Sequence, residues 1–109
     1  MRRRIDAKPM LVTEFGAGAI YGWRTTEPGV LWSEEYQADL LVECISHFVE
    51  RDDLAGFYVW QFFDTRTDRG VRNRRALGRP RNYNNKGLLN EYRQPKLAYH
   101  RTRELLARR

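Results

Sequence analysis

Glu14 closes a short apolar run, Pro9-Met10-Leu11-Val12-Thr13, and Phe15-Gly16 follow at once. A buried strand that stops on a carboxylate puts an acid at the carboxyl edge of a sheet. In parallel α/β folds reacting groups gather at that edge. An acid there attacks an electrophilic carbon, or it merely caps a loop or pairs with an arginine; position alone allows both. Trp60 stands near the end of a second apolar run, Phe57-Tyr58-Val59-Trp60-Gln61-Phe62. Its indole can pack on the apolar face of a ring-shaped ligand, a contact worth about 1 kcal/mol beyond area burial, or fill a core between strand and helix. In Asn84-Asn85-Lys86-Gly87 an amide and an ammonium precede a glycine. Such a pair can satisfy a ligand carboxylate that would be costly to desolvate alone. It can equally be an Asn-rich turn with a solvated lysine.

The elements that must position these groups alternate. A first strand is expected over about residues 9–14, apolar on both faces as a parallel strand requires. Residues 15–32 are rich in glycine and aromatics and read as a long loop, a length usually associated with function. Tyr21, Trp23 and Trp32 in it either shape a ligand site or pack the loop. Ser33 then offers an N-cap, with Glu34 and Glu35 where a helix dipole favours negative charge. Tyr36, Leu40, Leu41, Cys44, Ile45, Phe48 and Val49 recur at three- and four-residue steps, predicting an amphipathic helix over about 33–51. A second strand is expected over about 56–62, aromatic and β-branched. Residues 63–94 are polar and basic, with Leu88-Leu89 as a short extended piece. Asp64 and Arg66 there are candidates for an ion pair that holds the loop. Pro95 opens a terminal helix over about 95–107, its apolar stripe formed by Leu97, Ala98, Leu105 and Leu106. Strand, helix, strand, helix implies α/β architecture with parallel strands. Two such strands leave both sheet edges bare and should not be stable alone. Two β/α units are a quarter of a (β/α)8 TIM barrel, and the chain is read as part of one.

With 109 residues the chain allows one domain. Lys and Arg total 20 against 14 Asp and Glu, a net charge of +6, much of it in Arg2–Arg4, in Arg72, Arg74, Arg75, Arg79 and Arg81, and near the end. That balance raises the question of a polyanion partner, but no nucleic-acid recognition module accompanies it, and solvated ends and loop explain it as well. Cys44 is the only cysteine, so a disulfide framework and a zinc site of the usual spacing are excluded. His47 and His100 lack partners at ligand spacing, and no metal is expected. No phosphate cradle or dinucleotide fingerprint occurs, so no cofactor is implied. No apolar run approaches the ~20 residues of a membrane span. Arg2–Arg4 are not followed by the apolar segment of a signal peptide.

Four separated blocks, in order, resemble glycoside hydrolase family 2. Lys8-Pro9-Met10-Leu11-Val12-Thr13-Glu14-Phe15-Gly16-Ala17 looks like its nucleophile segment at the end of the seventh barrel strand. Leu31-Trp32-Ser33-Glu34-Glu35-Tyr36-Gln37 resembles the start of the next helix. Tyr58-Val59-Trp60-Gln61-Phe62-Phe63-Asp64 resembles the eighth strand. Asn84-Asn85-Lys86-Gly87 with Arg93-Gln94-Pro95-Lys96 resembles the late loop and last helix. The likeness runs from about Lys8 to about Leu106 and is closest to the β-glucuronidases. It implies that residues 1–109 are a carboxyl-terminal part of a catalytic barrel domain, holding its last two β/α units. It implies double displacement on β-D-glucuronides, with Glu14 as nucleophile, Trp60 lining the sugar subsite, and Asn84 and Lys86 gripping the uronic-acid carboxylate. The alternative within the family is a β-galactosidase or another glycosidase. The family's acid/base glutamate follows an asparagine at the end of the fourth strand. Asn90-Glu91 has those letters but lies in the late loop, so the acid/base is expected elsewhere and the isolated chain is expected to be inactive. The resemblance further implies a carbohydrate partner, no nucleic acid or membrane, a homo-oligomeric parent and a cytoplasmic location.

Overall fold

A computed structural model describes residues 8–67 and 79–108. The clusters Arg2–Arg4 and Arg72–Arg75 lie outside the described residues. Strand β1 (Met10–Phe15) and strand β2 (Leu54–Val59) pair in parallel, with Val12 opposite Phe57 and Phe15 opposite Val59. The pairing slips between Met10 and Leu11 and again between Val12 and Phe15. The parallel pairing expected from the alternation is therefore present. β2 starts two residues earlier than the aromatic run suggested and stops at Val59, so Trp60, Gln61 and Phe62 lie beyond it.

Helix α1 (Glu34–Phe48) connects the two strands. Ser33 caps it as expected: its backbone is extended, and its Oγ accepts from the Tyr36 N–H at 3.1 Å. Helix α2 (Leu97–Ala107) begins two residues after Pro95, with Lys96 as its N-cap residue. Its inward stripe is Ala98 and Thr102, while Leu106 is exposed. Leu106 thus does not join the core as the sequence pattern suggested, because Ala98 and Thr102 set the face that meets α1. α1 and α2 pack on each other through Ala38, Leu41 and Ala98, with Phe15, Leu40, Val59, Leu88 and Leu97 around them. Small side chains on both helices permit the close approach. Phe15, Phe48 and Phe57 form an edge-on aromatic cluster, with centroids 5.0–5.8 Å apart, between strands and helix.

The stretch after β2 carries structure that its composition does not announce. Strand β3 (Thr65–Arg66) pairs antiparallel with strand β4 (Tyr83–Asn84). The Thr67 N–H and Oγ1 both donate to the Asn82 carbonyl, at 2.8 and 2.6 Å. Of the short extended piece expected at Leu88-Leu89, only Leu89 makes strand-like bridges, to Phe63 and to Pro95, while Leu88 lies in a bend.

Because Phe15, Phe57 and Val59 turn toward the helices, the alternate residues turn the other way. Tyr58 (63% exposed) and Trp60 (44%) stand on that far face of the sheet. Among the described residues nothing covers it. No helix of the described residues is long and apolar enough to cross a membrane.

Candidate active site

Glu14 is the penultimate residue of β1, and its side chain is exposed. Phe15, next to it, points to the aromatic cluster, which turns Glu14 to the far face. The Phe15 carbonyl accepts from the Trp60 N–H at 2.8 Å, so the two strand ends stay in register one residue past Glu14. A Cβ on Gly16 would collide with the Trp60 carbonyl, so only glycine permits this approach of the two chains. The peptide bond between Trp60 and Gln61 is cis.

The same edge continues into the Asn84–Gly87 segment. The Gln61 N–H donates to the Lys86 carbonyl at 3.0 Å, and the Leu88 N–H donates to the Gln61 carbonyl at 3.0 Å. The Asn84 Oδ1 accepts from the Lys86 N–H at 3.1 Å, which fixes the orientation of a largely buried amide. The Lys86 side chain is exposed. Hydrogen bonds thus link the residue after Glu14 to Trp60, its neighbour Gln61 to Lys86, and Lys86 to the Asn84 side chain. Gly87 is as constrained as Gly16: a Cβ there would meet backbone atoms of Asp64, Phe63 and Leu89.

Behind this edge lies a buried polar layer. The Lys96 ammonium, fully buried, donates to the Asp64 Oδ1 at 2.9 Å, the Ala19 carbonyl at 2.7 Å and the Asn85 carbonyl at 3.1 Å. Asp64 also accepts from the Gly87 N–H at 2.9 Å and from Arg81 at 3.3 Å. Arg81 reaches Glu91 at 2.8 Å and the Asn85 side chain at 2.7 Å, and stacks on Tyr83. Arg81 holds a left-handed φ of 62°, a conformation that costs a non-glycine residue about 1–3 kcal/mol and persists only when its contacts enforce it. Asp64 therefore has partners, but they are Lys96 and Arg81 and not the exposed Arg66 beside it. Burial pushes the Asp64 carboxyl up from its ordinary value, against the pull of Lys96, Gly87 and Arg81. Burial pushes the Lys96 ammonium down, despite Asp64. The Arg81 hydrogen bond holds Glu91 below the usual carboxylate range.

Two further groups complete the layer. The Gln37 amide nitrogen donates to the Ala17 carbonyl at 2.9 Å and to the Gly87 carbonyl at 3.0 Å. Its Oε1 has no partner among the described residues. An unpartnered buried acceptor costs roughly 1–3 kcal/mol, so this amide is not there for packing alone. Glu34 accepts from the Gly22 N–H and from the Leu97 N–H, both at 2.6 Å, which fastens the loop after β1 and the start of α2 to α1. Neither Gln37 nor Lys96 stands out in the sequence as a site residue. The available signal was Gln37 at helical spacing to Leu41, a polar residue within an apolar stripe. Lys96 gave none, since a lysine after proline at a helix start ordinarily faces water.

Asn90 and Glu91 are engaged locally. Asn90 accepts from the Tyr92 and Gln94 N–H groups, and Glu91 pairs with Arg81. They form a turn and not a strand-end acid. Tyr21 and Trp23 are exposed, while the Trp32 ring lies against Gly18. No group of three potential metal ligands occurs among the described residues.

No protein-family model matches the chain. Individual proteins do. It is 40% identical over 91 residues to the β-glucuronidase of Paenibacillus borealis, covering 84% of this chain and 14% of that protein. Among solved structures it superposes on the family 2 β-galacturonidase of Eisenbergiella tayi, determined with bound galacturonate, with a TM-score of 0.83 and 45% identity. The match covers 94% of this chain and 17% of that one. The β-glucuronidase of Bifidobacterium dentium, complexed with coumarin-3-O-glucuronide, gives a TM-score of 0.77 and 36% identity, covering 92% of this chain and 15% of that one. By fold and sequence the chain is similar to part of these glycoside hydrolases. More narrowly, it is a small α/β segment homologous to part of the family 2 β-glucuronidases and β-galacturonidases. It spans 14% of the length of the first of these curated relatives.

Proposed function

We propose that this chain is the nucleophile-bearing part of a retaining β-uronidase, acting on β-D-glucuronides within a (β/α)8 barrel of which it forms the last two β/α units. The observation that carries the reading is the parallel β1–β2 pair, whose carboxyl edge holds Glu14 beside Trp60 and joins the Asn84–Lys86 element through the Gln61–Lys86 bond. The bare far face supports the barrel, because in that architecture it faces the other strands.

In the first step a Glu14 carboxylate oxygen attacks the anomeric carbon, and the bond from that carbon to the leaving oxygen breaks. The leaving oxygen takes a proton from an acid on the opposite side. In the second step the same group, now a base, takes a proton from water as water attacks, and Glu14 is released. This route needs two carboxyl groups about 5–5.5 Å apart. Glu91 is occupied by Arg81, so the second carboxylate comes from another part of the barrel. Trp60 offers an exposed indole for the sugar ring, and Lys86 with Asn84 supplies the cation and amide that a uronate carboxylate requires. A neutral sugar leaves that cation without a partner, which favours uronides over galactosides. β-D-Galacturonides are the alternative substrate, favoured by the likeness to the Eisenbergiella enzyme. Arg81, the best-placed arginine of the basic loop among the described residues, is committed to Asp64, Glu91 and Asn85, which weighs against nucleic-acid binding.

The test is covalent trapping in the intact enzyme. A 2-fluoro-β-D-glucuronosyl fluoride should add one glycosyl unit to the peptide containing Glu14, and Glu14→Gln should abolish both labelling and turnover of a chromogenic glucuronide. Labelling of another carboxylate sinks the assignment.

A further inference from the structure

Two fully buried side chains tie the loop after β1 to the Asn84–Gly87 segment. Gln37, in the first turn of α1, takes the carbonyls of Ala17 and Gly87 on one amide nitrogen, at 2.9 and 3.0 Å. Lys96, at the start of α2, takes the carbonyls of Ala19 and Asn85, at 2.7 and 3.1 Å. The pinned carbonyls are two residues apart on each segment, so the ties form two successive rungs. A direct backbone bond from the Ala19 N–H to the same Asn85 carbonyl, 2.8 Å, reinforces the Lys96 rung. On the second segment the residue between the rungs is Lys86. Its neighbours' carbonyls point inward to the helices, and its own side chain is exposed. On the first segment the nearer rung lies three residues after Glu14. Gln37 keeps an Oε1 without a partner among the described residues. A leucine or methionine would fill that space without the orphaned acceptor, so the amide is retained for its two donor contacts.

We propose that Gln37 and Lys96 are positioning residues that fix the span between Glu14 and the Asn84–Lys86 element, and thereby set the preference for a sugar whose carboxylate sits at that span from C1. The inference rests on the uronidase reading. A neutral glycoside uses only the Glu14 end of the span, whereas a uronide uses both ends. Loosening a rung therefore penalises uronides selectively.

The experiment uses the intact enzyme with Gln37→Met, assayed on 4-nitrophenyl β-D-glucuronide, β-D-galacturonide and β-D-glucoside. A displacement of about 1 Å can cost about 10²-fold. The expected result is a fall of roughly 30- to 100-fold in kcat/KM on the preferred uronide, mostly in KM, with less than about a 3-fold change on the glucoside. On a Lys86→Ala background Gln37→Met should add less than about 3-fold, since Gln37 acts through Lys86. Equal losses on uronide and glucoside, or full multiplicative losses on the Lys86→Ala background, overturn the proposal. Should Gln37→Met not fold, the isosteric Gln37→Glu removes at least one rung contact, because a carboxyl has at most one proton to donate, and the same selectivity is expected. Hydrogen exchange at residues 85–88 should quicken in either variant, and unchanged protection overturns the spacer. A wild-type enzyme that does not discriminate uronide from glucoside refutes the uronidase reading instead, and the exchange measurement still decides whether the two segments are pinned.

Discussion

Replacing Lys96 by methionine should destabilise the folded protein by about 3 kcal/mol at neutral pH, near the low end of the 3–5 kcal/mol usual for breaking a buried ion pair. The change deletes three donor contacts, to Asp64, Ala19 and Asn85, from a site with no solvent to replace them. Two features hold the loss to the low end. Asp64 keeps the Gly87 N–H and Arg81, and methionine buries a stem of similar length without an ammonium to desolvate. The pH dependence follows from the directions already given. Burial raises the folded-state value for Asp64, and losing Lys96 raises it further. A carboxyl with a raised folded value favours folding while protonated and loses that benefit as pH rises through the folded value. The penalty of Lys96→Met should therefore be largest at neutral pH and shrink as the buffer is taken toward about pH 5. Thermal melts of the intact enzyme, wild type against variant, provide the assay. At neutral pH the melting temperature should fall by roughly 2–5 °C, since a large protein has a large unfolding entropy. The double variant Lys96→Met/Asp64→Asn also removes the buried carboxylate that has lost its ammonium partner, so it should recover about half the loss. A variant that melts within about 1 °C of wild type at neutral pH, or a penalty that grows on acidification, refutes the view of Lys96 as a compensated buried cation.

Lys86→Ala should reduce uronide turnover by about 10²-fold or more while leaving the matching neutral glycoside within a few-fold, as steady-state kinetics on the pair will reveal. Gly87→Ala should cost about 3 kcal/mol and depress soluble yield, because the added methyl meets backbone on three sides and not a side chain that can swing away. Ser33→Ala should cost about 1 kcal/mol, read as a shift in urea midpoint, since it removes the acceptor for the Tyr36 N–H. The 109-residue chain expressed alone should bind a hydrophobic dye, melt without a cooperative transition and hydrolyse no glucuronide. Leu11, Leu31, Tyr58 and Phe62 are each about half exposed or more. A sharp melt of the isolated chain would contradict that expectation.

What the sequence made legible is what short-range physics controls. Ser33 and the stripe through Leu41 and Ile45 announced α1, because capping and helical periodicity are local. The apolar run before Glu14 announced β1, and the aromatic run announced β2 with its bounds displaced by two or three residues. The β3–β4 pair was not legible. It joins two polar dipeptides, and neither Thr65-Arg66 nor Tyr83-Asn84 has room for an alternating pattern. The placement of Glu14, Trp60, Asn84 and Lys86 along one edge came from four blocks taken together, not from any one of them. The support behind that edge stayed hidden, since Lys96 and Asp64 lie 32 residues apart and each alone reads as a surface charge. Only the three-dimensional arrangement makes their burial tolerable.

The two hydrogen bonds from Thr67 onto the Asn82 carbonyl extend the β3–β4 pair by one step. These bonds clasp the two chains beside Asn84, so the register of Asn84, and of Lys86 two residues on, is set by contacts among residues 65–67 and 82–84 and not by the number of residues between the clasped ends. Doubling a tethered excursion costs only about 0.6 kcal/mol of closure entropy. A change in that number should therefore leave Asn84 and Lys86 where they are.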